Sequence, residues 1–194
     1  MASRNMMRGI ASGAATTLAA GALTLLSTGI AGAATANITW DDYYSHFTRT
    51  VSNATPNAGE IITVSTKFER TNSTDEKLDW VKDFHPTCLT YVPNSAKLNN
   101  QPVEPYLDIK PGYIAADFNA TSYRVIVKQN TAPAILSAQY TVGTDCARGT
   151  KLTTGMDYSG SLGSGSYGTK GPAITVSYLT PGGGAGSLGS IFGS

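Results

Sequence analysis

Leu136-Ser137-Ala138-Gln139-Tyr140-Thr141-Val142 decides the fold class. Leu136, Ala138, Tyr140 and Val142 alternate with Ser137, Gln139 and Thr141, the period of two that places apolar side chains on one face of a half-buried strand. Just upstream, Tyr123, Val125 and Val127 alternate with Arg124, Ile126 and Lys128 in the same way. Gln129-Asn130-Thr131-Ala132-Pro133 between the two is a loop of hairpin length.

Outward from this pair the pattern repeats. Ile61 to Arg70 reads as a strand with Ile62, Val64 and Phe68 on one face. Leu78 to Asp83 reads as another, with Leu78 and Trp80 inward, and Cys88 to Val92 as a third, with Leu89 and Tyr91 together. Asn37 to Tyr44 is a polar-aromatic lead-in, and Tyr44 to Val51 an edge strand. Thr71 to Asp75 is a turn. Pro86, Pro93, Pro102, Pro105 and Pro111 forbid long helices in the middle of the chain. Ile174, Val176 and Tyr178 make the last alternating strand. The expectation is an all-β domain over residues 37–180, a β-sandwich of about seven to nine strands, with a closed barrel as the alternative.

The first 36 residues have the order of a secretory signal. Arg4 and Arg8 precede an uncharged stretch from Gly9 to Gly32, followed by Ala34-Thr35-Ala36. Cleavage is expected between Ala36 and Asn37, with Ala31-Gly32-Ala33 as the alternative site. The densest apolar part, Leu18 to Leu26, is too short to span a bilayer, so the mature chain is not expected to cross one. Without Arg4 and Arg8, twelve basic residues face thirteen acidic ones. That balance offers no concentrated basic face for nucleic acid.

Cys88 and Cys146 are the only cysteines. In an oxidising compartment an isolated pair is expected to form one disulfide. At the other end, residues 181–194 are Gly/Ser-rich and expected to be a flexible tail, and Ser159 to Gly171 a mobile surface loop. Gly163, Gly165 and Gly168 satisfy G-x-G-x-x-G, but Lys170-Gly171-Pro172 cannot open the helix that a dinucleotide site needs.

Catalytic machinery is not expected. No nucleophile elbow, phosphate loop or zinc-protease motif is present. His46 and His85 are the only histidines. His85, near Asp83, is the better of the two for a serine-histidine-aspartate site, though nothing marks a serine beside it. The run Asp75, Glu76, Asp79 and Asp83, interleaved with Lys77 and Lys82, is read as a solvated strand face, and no cofactor or metal is expected. Asn37, Asn53, Asn72 and Asn119 open glycosylation sequons, read here as turn chemistry.

Two stretches carry a family resemblance. Pro56-Asn57-Ala58-Gly59-Glu60-Ile61-Ile62-Thr63-Val64 and His85-Pro86-Thr87-Cys88-Leu89-Thr90-Tyr91-Val92-Pro93-Asn94-Ser95-Ala96 resemble the immunoglobulin-like repeat of bacterial surface proteins over about residues 55–145. The cysteine pair is not part of that pattern, while the signal and Gly/Ser tail are similar to those of secreted actinobacterial proteins. The resemblance implies an immunoglobulin-like sandwich without a catalytic site. The expected role is that of a secreted or cell-surface module, binding or structural, with a cell-surface protein or glycan as partner. An extracellular hydrolase and an envelope pore or assembly subunit are the competing classes.

Overall fold

The computed structural model describes residues 34–103, 106–119 and 125–178. Thus the expected signal segment up to Ala33, Tyr123 and the tail expected at 181–194 lie outside the described residues. Within them the chain is built from strands, and two sheets pack face to face around one core.

The first sheet runs in the order β1 (Ala36–Asp42), β2 (Ser45–Val51), β3 (Ile61–Arg70), β11 (Ala134–Val142), β6 (Lys97–Leu98) and β7 (Gln101–Pro102), with β5 (Leu89–Tyr91) also pairing with β11. The second runs β14 (Gly163–Tyr167), β13 (Gly155–Gly160), β4 (Glu76–Phe84), β9 (Tyr113–Asp117) and β8 (Leu107–Lys110), with β10 (Val125–Val127) on β4. A small ladder joins β12 (Lys151–Leu152) to β15 (Ile174–Thr175). Eight strands have five or more residues, and seven pieces of two to four residues complete the ladders. Both large sheets have open edges, so the architecture is a sandwich rather than a closed barrel.

The alternations read from sequence set the core. Ile62, Val64 and Phe68 of β3 and Leu136, Ala138, Tyr140 and Val142 of β11 are buried on one side. Leu78, Val81, Ile114, Val125, Val127, Met156 and Tyr158 meet them from the other. Each full burial of a side chain such as Phe47 or Ile62 contributes about 1.5–3 kcal/mol.

Four expectations are corrected. Tyr44 to Val51 is not an edge: β2 lies between β1 and β3, and the lead-in from Asn37 is itself the edge strand β1, with Trp40 buried. Its polar outward residues Asn37, Thr39 and Asp41 hid the alternation. The loop after Val127 is not a hairpin, because β10 pairs with β4 and β11 with β3; the loop carries the chain from one sheet to the other. Ser159 to Gly171 is largely the β13–β14 hairpin rather than a loop. Trp80 does not face the core, since β4 carries a bulge: Ser159 pairs with Trp80 and Gly160 with Leu78, leaving Asp79 extra. A bulge shifts the side-chain parity, so Val81 and Asp83 turn inward and Trp80 outward.

Candidate functional site at the hairpin tips

Cys88 and Cys146 are bonded, with Cα atoms 5.1 Å apart. The bond ties the residue before β5 to the turn after β11, where the Gly143 N–H also donates to the Cys88 carbonyl at 2.9 Å. His46 lies on the outer face of the first sheet, its Nδ1 2.6 Å from Asp41 Oδ1. His85 is buried against the Tyr140 ring, at 4.5 Å between centroids, and donates from Nδ1 to the Pro86 carbonyl at 2.9 Å. Its Nε2 has no hydrogen-bond partner among the described residues, and Asp83 is held by Arg49 instead. His85 and Asp83 therefore do not come together with a serine.

The acidic run is not a solvated face. Glu76 and Asp83 are buried and pair with Arg70 and Arg49 of the opposing sheet, whereas Asp75 and Asp79 pair with Lys128 and Lys77 nearer the surface. The bulge at Asp79 explains why both Glu76 and Asp83 point inward although seven positions separate them. Gly163, Gly165 and Gly168 belong to the β13–β14 hairpin and the turn that follows it. Ala36 begins β1, and Ala36 and Asn37 pair with Val51 and Thr50.

A cleft of about 500 Å³ opens at one end of the sandwich, where three connections meet. The first is the β1–β2 turn. Asp42 and Ser45 form the last register pair, so Tyr43 and Tyr44 are the whole loop. Two-residue hairpin loops favour glycine or asparagine at a first position with positive φ. Tyr43 holds that position at φ 49° with 94% of its surface exposed, and Tyr44 is 56% exposed beside it. The second connection is the β13–β14 turn with Leu162, half exposed, and the third is the turn from Thr71 to Asp75.

Below this aromatic rim the floor is polar and internally paired. Arg70 donates from Nε to the Thr74 carbonyl at 3.0 Å, from Nη1 to Ser45 Oγ and Glu76 Oε2 at 2.7 and 3.2 Å, and from Nη2 to Asn72 Oδ1 at 3.0 Å. Ser45 in turn donates to Glu76 at 2.7 Å. Tyr158 donates its hydroxyl to Asp42 Oδ2 at 2.9 Å. Burial first, and then this bond, push the Tyr158 hydroxyl well above the ordinary tyrosine range; burial first, and then the neighbouring Asp42 carboxylate, push Tyr167 up to about 12.

Such a floor has its donors and acceptors already spent, so it fixes the loops rather than offering an open charge. What the cleft offers a ligand is the rim: two exposed tyrosines and Leu162. Tyrosine supplies a large amphipathic contact area with little rotamer entropy to lose, which is why it dominates loop-borne recognition surfaces. Sequence reasoning missed this site. Its signal was Asp42-Tyr43-Tyr44-Ser45, a turn-length break between two alternating segments filled with residues that turns do not favour.

No protein-family model matches the sequence, and comparison with curated proteins finds no match. Solved structures share the fold. A "putative membrane anchored protein" from Corynebacterium diphtheriae is 12% identical with a TM-score of 0.52, over 74% of this chain and 38% of that one. The major pilin subunit BcpA of Bacillus cereus is 10% identical with a TM-score of 0.46, over 68% and 40% of the two chains. BslA, a bacterial hydrophobin, is 8% identical with a TM-score of 0.48, over 72% of this chain and all of that one. This chain thus spans about two-fifths of the first two. At such identities the likeness is one of fold, and it is the β-sandwich of the corynebacterial protein that this chain shares.

Proposed function

We propose that the chain is a secreted, cell-envelope-associated β-sandwich module with a structural and binding role and no catalysis, which engages a surface partner through the cleft at its hairpin tips. The observation that carries this reading is Tyr43. A non-glycine residue in the left-handed region costs of the order of 1–3 kcal/mol, and such residues cluster where function over-determines the backbone. Here the strained residue packs against nothing, so its side chain does not repay the cost within the domain. The disulfide supports an oxidising compartment.

The test is binding of the labelled mature protein to intact cells of the producing organism. Wild type is expected to bind saturably and Tyr43→Ser to lose binding with its melting temperature unchanged. Equal binding by the two proteins overturns the site. Turnover of an ester, peptide or glycan substrate that disappears in His85→Ala overturns the non-catalytic reading.

A further inference from the structure

The bulge in β4 has a second effect, on the outer face of the second sheet. With Asp79 extra, Trp80, Lys82 and Phe84 point away from the core, and the register sets them beside Asp117, Ala115 and Tyr113 of β9. Ala115 also faces Asp108 on β8. The small Ala115 side chain between larger neighbours leaves a recess of about 460 Å³, lined by Trp80, Lys82, Asp108, Tyr113 and Asp117. Lys82 Nζ stands 4.5 Å from the Tyr113 ring centroid, and Tyr113 donates its hydroxyl to Asp108 at 3.4 Å. Lys110 pairs with the same carboxylate at 3.1 Å.

We infer that this recess binds a neutral β-linked oligosaccharide of glucose or N-acetylglucosamine type. Bulges commonly re-aim a side chain at a site, and this one moves a tryptophan out of a core that had the parity to bury it. Lys82 and Lys110 balance Asp108 and Asp117, so the recess carries no net charge. A neutral polyol matches that balance, whereas a charged ligand or a strongly charged protein surface does not. Aromatic faces carry the negative side of the ring quadrupole. Sugars with all hydroxyls equatorial turn only C–H groups toward such a face and keep their hydroxyls at the ring edge, within reach of flanking carboxylates and an ammonium. Trp80 and the Tyr113 ring, one face of which Lys82 covers, stand four residues apart in strand register, about 14 Å, which suits several linked sugars rather than one. The recess lies on a different surface from the hairpin-tip cleft, so the inference stands apart from the proposed partner site.

Tryptophan emission reports on it directly, because the other tryptophan, Trp40, is buried in the core. Purified protein is titrated with cellotriose and N,N′,N″-triacetylchitotriose, with maltotriose and a heparin tetrasaccharide as comparators, and each titration is repeated by calorimetry. The expected result is saturable binding of at least one β-linked trisaccharide, weakened about tenfold or more by Trp80→Ala and by Tyr113→Ala. Melting curves check that each variant folds, and Tyr113→Ala carries the test should Trp80→Ala not fold. Absence of saturable binding of both β-linked trisaccharides overturns the inference. So does equal binding in the Trp80 and Tyr113 variants, or a preference for maltotriose or the heparin fragment.

Discussion

Arg49 on β2 grips Asp83 on β4 with two bonds, Nη2 to Oδ1 at 2.8 Å and Nη1 to Oδ2 at 3.2 Å, so an ion pair sealed from solvent spans the two sheets. Thr66, Thr154 and the Phe84 carbonyl accept the three remaining guanidinium protons at 2.8, 3.3 and 3.4 Å. Two charges taken out of water recover their desolvation only while they hold each other, so removing one partner costs about 3–5 kcal/mol. Arg49→Met and Asp83→Leu should each lose about that much in chemical denaturation. The double variant should recover most of it, since paired apolar replacements of similar volume are often neutral. A double variant as unstable as the sum of its parents would show no coupling between the two charges and overturn this account.

Most of the fold was legible because it rests on alternation. Ile62 to Phe68 and Leu136 to Val142 show period two with apolar inward residues, and the structure buries those residues. One cause of the failures is that composition was read where parity mattered. Arg49 lies between Phe47 and Val51 at an inward position, and Arg70 follows Phe68 two residues on, so both arginines had the parity of core residues. Charged residues are almost never fully buried unless paired, and their partners Asp83 and Glu76 come from another sheet. Nothing local to Arg49 or Arg70 names that partner. The Asp79 bulge is likewise invisible from one strand, because it exists only in the register between β4 and β13. The candidate cleft was harder still, since Tyr43, Leu162 and Thr74 meet through three separate turns.

Tyr43→Gly separates recognition from stability. Glycine adopts the left-handed region without the Cβ penalty but loses more chain entropy on folding, about 0.5–1 kcal/mol. Relief of 1–3 kcal/mol of strain should outweigh that loss. The variant should therefore be as stable as wild type or up to about 2 kcal/mol more stable, read as a higher denaturation midpoint with an unchanged slope. A lower midpoint would mean that Tyr43 stabilises the hairpin, and the case for a recognition residue would weaken.

Cleavage at one or the other of the two expected sites would have a structural consequence that can be measured. The Ala54 N–H donates to the Ala34 carbonyl at 2.8 Å and the Thr35 hydroxyl to the Ser52 carbonyl at 3.2 Å, while Ala36 pairs with Val51. Protein beginning at Asn37 lacks these contacts; protein beginning at Ala34 keeps them. At about 0.5–1.5 kcal/mol per hydrogen bond, the longer form should be more stable by about 1–2 kcal/mol. Equal melting of the two forms would show that this end of β1 frays.

Alkaline unfolding should be governed by the buried tyrosines. Burial first, and then the neighbouring Asp83 carboxylate, push the Tyr140 hydroxyl well above the ordinary range, and that hydroxyl has no hydrogen-bond partner among the described residues. Tyr167 is pushed up to about 12, and Tyr158 is also raised. Tyrosine is neutral when protonated, so a raised pKa means that the folded chain keeps its protons where the unfolded chain, titrating near pH 10, has lost them. Their stabilising contribution is thus complete below about pH 10 and falls as pH rises through about 10–12 and beyond. Absorbance titration of the ten tyrosines should show a late group that ionises only as the fold is lost. Tyr140→Phe removes an unpartnered buried hydroxyl while keeping the ring that packs against His85 and Tyr91. It should match or exceed wild-type stability at pH 7 and move the alkaline midpoint upward. An unchanged midpoint, or ten tyrosines titrating together near pH 10, would take Tyr140 out of the account.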